Sequence, residues 1–166
     1  MNQEARTATD QAVIERYFNM VYKLALAQTK NKTMADDVTQ EVFLRYLKHS
    51  AKLESEEHRK AWLIRVTLNC SKSAFSNSWF KRTTPLSDEL VFEEKETGEV
   101  YYAVLELPPK YRSVIHLFYY EDLSIEEIGK ILGRSASAVK SQLFRGRNML
   151  RSILKGGEDH VEGTLP

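Results

Sequence analysis

Between Gly133 and Lys155 the chain carries six basic residues, Arg134, Lys140, Arg145, Arg147, Arg151 and Lys155, and no acidic one. Ser135, Ser137 and Ser141 stand among them at the start of the stretch. Guanidinium and ammonium groups pair with phosphates, while short hydroxyl and basic side chains reach base edges, so this set suits contact with DNA. Other chemistries find no residues to perform them. Cys70 is the only cysteine, which excludes an intrachain disulfide, and His49, His58, His116 and His160 are scattered. There is no phosphate loop, no HExxH and no Cys/His metal spacing, so no catalytic residue, metal ligand, cofactor or small-molecule substrate is assigned.

The elements that must position the basic stretch are legible around it. Ser124-Ile-Glu-Glu127 has the form of a capping box, opening a short helix through Ile125, Ile128, Ile131 and Leu132. Gly133 stops that helix, and Gly133-Arg134-Ser135 makes a tight turn into a longer one with Val139, Leu143, Leu150 and Leu154 on its inner face. Short helix, turn and longer helix make a helix-turn-helix, whose second helix enters the major groove. Ser135, Ser137, Lys140 and Ser141 then face base edges, with Arg145 and Arg147 placed for phosphates or a protein partner. Gly146 interrupts that helix, and only close packing accounts for it.

Upstream, Val13, Tyr17, Met20, Val21, Leu24 and Ala25 recur at helical spacing from Asp10 to about Gln28. A second helix follows, with Thr33 as its expected cap, Asp36 and Asp37 in its first turns, and Met34, Val38, Val42 and Tyr46 as its stripe, Phe43 and Leu47 beside it. A third is expected over about 57–75 with Ala61, Trp62, Val66 and Asn69 on one side. Strand-type alternation is absent, so this half reads as a helical bundle.

Charge divides the chain in the same way. Residues 1–82 hold 14 Lys/Arg against 9 Asp/Glu and residues 107–155 hold 9 against 4, whereas residues 83–106 hold 1 against 7. Two basic blocks around an acidic spacer suggest two modules that each meet a polyanion. The expected organisation is a domain over 1–82, a flexible acidic linker over 83–100, a second domain over 101–155 and a disordered tail over 156–166. No apolar leader or membrane-length apolar run occurs, which predicts a cytoplasmic location.

The segment from Leu107 to Gly133, LPPKYRSVIHLFYYEDLSIEEIGKILG, followed by Ser135 and by Val139 to Arg145, resembles region 4 of the extracytoplasmic-function sigma factors of bacterial RNA polymerase. Met34 to Phe43 resembles their region 2.2, and Trp62 to Asn69 their region 2.3. The resemblance implies an all-α protein of two small helical domains that directs core RNA polymerase to promoters. It assigns Arg134, Ser135, Ser137, Lys140, Ser141, Arg145 and Arg147 to the minus-thirty-five element. Arg65, Asn69, Lys72 and Ser73 fall to the minus-ten element, with Asn69 the base-edge candidate and Lys81 and Arg82 further phosphate contacts. Relatives often carry an acid and then a base shortly after the asparagine, where this chain has Ser73 and Ser76. Trp79 and Phe80 stack on bases or close the bundle.

Asp36, Asp37, Gln40 and Glu41 are assigned by the same resemblance to the coiled coil of the polymerase's largest subunit. The implied partners are core RNA polymerase, including the flap of its second-largest subunit, promoter DNA, and an anti-sigma factor that holds the protein at the membrane. The acidic linker is implied to mimic nucleic acid in the polymerase channels. The rival readings are a stand-alone helix-turn-helix regulator, which leaves the Asp36-to-Phe43 helix unexplained, and a helical adaptor binding only protein.

Overall fold

A computed structural model describes residues 2–76 and 98–157, and among these every regular element is a helix. The chain divides into two compact units, Met1–Leu90 and Val91–Pro166. The first contains α1 (Gln3–Thr29), α2 (Lys32–His49), a 3-10 turn (Ser50–Lys52) and α3 (Glu56–Ser76). The second contains α4 (Glu99–Leu105), α5 (Pro109–Tyr119), α6 (Ile125–Leu132) and α7 (Ala136–Gly157). Residues 83–97 of the expected linker (83–100), residues 158–166 of the expected tail (156–166), and Trp79, Phe80, Lys81 and Arg82 lie outside the described residues, while Glu99 and Val100 already belong to α4 and Gly156 and Gly157 still belong to α7. No described helix is long and apolar enough to cross a membrane.

In the first unit α1, α2 and α3 bury Val21, Leu24, Met34, Val42, Tyr46, Leu63 and Ile64 between them. Each such side chain contributes roughly 1.5–3 kcal/mol on leaving water. Threonines enter this core by spending their hydroxyls on the preceding turn: Thr29, Thr39 and Thr67 donate to the carbonyls of Ala25, Ala35 and Leu63 at 2.9, 2.7 and 2.6 Å.

Three sequence expectations shift here. Asn31, not Thr33, caps α2, accepting from the Met34 N–H at 2.9 Å, because Lys30 takes a left-handed conformation (φ 56°) that ends α1 just before it. On α3 the buried side is Leu63, Ile64, Thr67, Cys70, Ser71 and Ala74, one step round from the expected Trp62 and Val66 side, since Thr67 is core-compatible once bonded. Trp62 is half-buried, its ring edge-on to Tyr46 and tilted against His49. Leu47, expected beside the α2 stripe, is exposed.

Polar ties join α1 to α3. The Tyr17 phenol donates to Glu56 Oε2 at 2.5 Å, and Arg59 and Arg16 pair with the same carboxylate. The Tyr17 hydrogen bond, followed by the two cations, lowers the pKa of Glu56.

In the second unit Leu107, Val114, Ile115, Leu117, Ile128, Val139, Leu143 and Leu150 form the core. Arg112 is buried and donates to the Leu105 carbonyl at 3.1 Å, fastening the end of α4 to α5. The α6–α7 turn is set by two glycines. Gly133 caps α6 at φ 66°, and a Cβ on Gly129 would stand 2.6 Å from the Arg134 carbonyl oxygen. Gly146 is the close contact suspected from sequence, since a Cβ there would meet Ile115 Cγ1 at 3.0 Å.

Two expectations follow. Gly129→Ala forces the turn apart and lowers the stability of the second unit by ~1–3 kcal/mol in urea melts. Glu56→Gln destabilises the first unit near neutral pH. A carboxylate with a depressed folded pKa stabilises above its unfolded pKa and loses that contribution as pH falls through the lower, folded value. The gap between wild type and variant therefore closes on acidification below about pH 4.

Candidate nucleic-acid and polymerase interfaces

The helix-turn-helix is built as its residues require. Ser124 accepts from the Glu127 N–H at 3.1 Å while Glu127 accepts from the Ser124 N–H at 3.0 Å, closing the capping box of α6. The Arg134 N–H then bonds the Gly129 carbonyl at 2.8 Å, and Ser135 caps α7 by accepting from the Ala138 N–H at 3.1 Å. Ser135 is thus occupied in starting the helix.

From there Ser137, Ser141, Phe144, Arg145 and Asn148 share one exposed face, with Lys140 and Arg151 at its shoulder. Lys140, Arg145, Arg151 and Lys155 make no ion pair within the described residues. A row of unpaired cations on one helix face repels itself and is relieved by a polyanion. Arg147 departs from the group: its guanidinium donates to the Tyr119 hydroxyl at 2.9 Å and braces α7 against α5. Arg134 is half-exposed and donates to Gln142. Phe144, passed over by charge-based reading, is 61% exposed in the middle of the face. An apolar ring there matches the thymine methyl group of the major groove.

On α3, Arg65, Asn69, Lys72, Ser73 and Ser76 are exposed and recur at four-, three-, one- and three-residue steps, so the sequence-picked set lies on one face. On α2, Asp36, Gln40 and Glu41 are exposed and Asp37 is half-buried. Glu41 is already paired with Arg45 at 2.8 Å. The same face continues into Leu44 and Leu47, 56% and 47% exposed, an apolar half that acid-based reading overlooked. Val42 and Phe43 are core, as expected.

The sequence matches the family model for sigma-70 region 2 over residues 13–80 and that for sigma-70 region 4 over residues 97–150. It is 30% identical to the ECF RNA polymerase sigma factor SigM of Bacillus subtilis, covering 87% of this chain and 94% of that one. The chain belongs to the ECF sigma factors. It is also 26% identical to SigW of the same organism, over 86% of this chain and 87% of that one. As a sigma factor it directs transcription initiation, binding core RNA polymerase and promoter DNA.

The fold agrees with two solved structures, one of them a sigma factor. RpoE of Bartonella quintana, solved with the anti-sigma factor NepR, matches with a TM-score of 0.72 at 19% identity, covering 87% of this chain and 96% of that one. CnrH, solved with the cytosolic domain of CnrY, matches with a TM-score of 0.72 at 22% identity, over 95% and 92% of the two chains. Both support the all-α, two-domain architecture.

Within the helix-turn-helix, Arg147 is bonded to Tyr119 and Arg145 is exposed, so the two arginines differ in their effect on stability. Arg147→Ala and Tyr119→Phe each lower the stability of the second unit by ~0.5–1.5 kcal/mol. Arg145→Ala leaves the urea midpoint nearly unchanged, within about 0.5 kcal/mol.

Proposed function

We propose that the exposed face of α7 reads the minus-thirty-five element of promoter DNA, with Ser137, Lys140, Ser141, Phe144 and Arg145 reaching base edges and neighbouring phosphates. The observation that carries this reading is the unpaired basic face of α7 following a capped short helix and a glycine turn. Ser135 starts the helix at the groove, Arg134 flanks it, and Arg147 serves chiefly to hold α7 on α5.

The α3 face of Arg65, Asn69, Lys72 and Ser73 is assigned to the minus-ten element. Asn69 supplies paired donor and acceptor groups for an unstacked base, and Arg65 and Lys72 follow the phosphates of the separated strand. The α2 face is assigned to the coiled coil of the polymerase's largest subunit. Asp36, Asp37, Gln40 and Glu41 meet its basic side chains while Leu44 and Leu47 bury against its apolar positions. The division of labour follows the two units: 1–82 for polymerase and minus-ten contacts, 101–155 for the minus-thirty-five element and the polymerase flap, with 83–100 between and 156–166 as a tail.

The isolated chain has no turnover of its own. It acts in the cytoplasm of a bacterium and is held inactive by an anti-sigma factor, which tethers it at the membrane. Support for such an inhibitor comes from RpoE of Bartonella quintana, which was solved with the anti-sigma factor NepR.

Run-off transcription with purified core polymerase on genomic upstream fragments tests the assignment. The wild-type protein gives start sites absent with core alone. Lys140→Ala or Arg145→Ala lowers promoter occupancy roughly 5- to 100-fold while leaving core binding intact, as expected for loss of a single groove contact. Leu44→Asp instead weakens core binding and depresses initiation at every promoter alike. Retention of full promoter occupancy by both α7 variants contradicts the assignment of that face.

A further inference from the structure

Arg134 and Gln142 are tied across the helix-turn-helix. The guanidinium Nη1 donates to Gln142 Oε1 at 2.7 Å, and both side chains are half-exposed. Arg134 directly precedes the capping residue Ser135, so its charge stands at the amino-terminal end of α7. That end already carries the positive pole of the helix, and no acid of α7 faces it. A cation held there by a neutral carboxamide is at an electrostatic disadvantage, which an arriving anion removes. Only one of the five guanidinium donors is engaged by Gln142, which leaves the rest for phosphate oxygens.

Gln142 lies on the flank of α7 with Ala138, off the face that carries Ser137, Ser141 and Arg145. Its amide oxygen already accepts from Arg134, so bidentate recognition of adenine, which needs that acceptor and the amide donor, would have to share the oxygen with a guanidinium. The pair is therefore suited to holding a charge and unsuited to reading a base. A long arginine side chain fixed before contact also loses less freedom when it binds.

We propose that Gln142 is a positioning residue that holds Arg134 at the entrance of α7 to engage a backbone phosphate of promoter DNA, and that neither residue reads a base. This rests on the reading of α7 as the promoter-contacting helix.

The test uses full-length protein in holoenzyme with core polymerase, binding a fluorescent promoter duplex chosen by run-off transcription, titrated over a series of salt concentrations. Gln142→Ala and Arg134→Ala are each expected to weaken binding roughly 2- to 10-fold. The Arg134→Ala variant lowers the salt slope by about 0.9, the value for one phosphate, and Gln142→Ala lowers it by part of that. The double variant is no weaker than Arg134→Ala alone, and preference at each minus-thirty-five base pair is unchanged. Thermal unfolding of Gln142→Ala, measured in parallel, stays close to wild type.

Additive losses in the double variant, or a changed preference at one base pair in Gln142→Ala, overturn the proposal. Unchanged binding in both single variants, while Lys140→Ala and Arg145→Ala weaken it, overturns this proposal alone. Unchanged binding in all four overturns the reading of α7 beneath it.

Discussion

The approach of two backbones at the α6–α7 turn is the constraint on which the second unit depends. The Arg134 carbonyl occupies the space where any side chain on Gly129 would begin, and Gly133 supplies the left-handed residue that lets the chain reverse there. With the turn closed this tightly, Ser135 is brought to the head of α7 as its cap. The helix then leaves with Val139, Leu143 and Gly146 buried and Ser137, Ser141 and Arg145 outward. Gly146 and the Arg147–Tyr119 bond fix the far half of α7 against α5. Sequence-specific contact asks for a helix whose roll and depth are set before DNA arrives, and these backbone features set both.

The first unit reaches the same end by different means. Its core accepts threonines because each hydroxyl returns to a carbonyl one turn back. Ser71 aside, the remaining polar side chains of α2 and α3 are exposed or half-buried. The exposed faces of the two helices differ in chemistry. The α3 face is basic and amide-bearing, as a single strand of nucleic acid requires. On α2 an acidic end passes into an apolar one, the pattern of a protein interface with a polar rim around a hydrophobic centre. A sigma factor must bind both kinds of partner at once, and the proposed assignment gives them to separate helices.

The two-part helical organisation, the capping box and the glycine turn were legible because each rests on local rules of residue type and spacing. The basic face of α7 was legible from the one-sided distribution of charge, whereas Asn69, Lys72 and Ser73 were singled out by the family resemblance and not by spacing. Side chains whose status depends on a partner far along the sequence were not. Arg147 and Arg145 look alike in sequence, and only the Tyr119 hydroxyl, 28 residues away, distinguishes them. Leu47 was expected beside the buried stripe of α2, and Phe144 and Leu44 were passed over by a reading led by charge, yet the helices carrying them bury other faces and leave all three exposed. Thr67 reads as surface, and its bond to Leu63 places it inside, which turned the expected face of α3 by one residue. The Asn31 cap was hidden because it required Lys30 to adopt a left-handed conformation.

The central claim is that the outward face of α7 meets the minus-thirty-five element once the protein has joined core polymerase. Ser141→Cys, in a Cys70→Ser background and derivatised with a photoactivatable group, tests it most directly, with Glu106→Cys on the α4–α5 link as the control. Holoenzyme bearing the probe at 141 is expected to crosslink within the minus-thirty-five element, and the control probe outside it. Crosslinks from 141 that are absent from that element, or that form equally well without core polymerase, contradict the account.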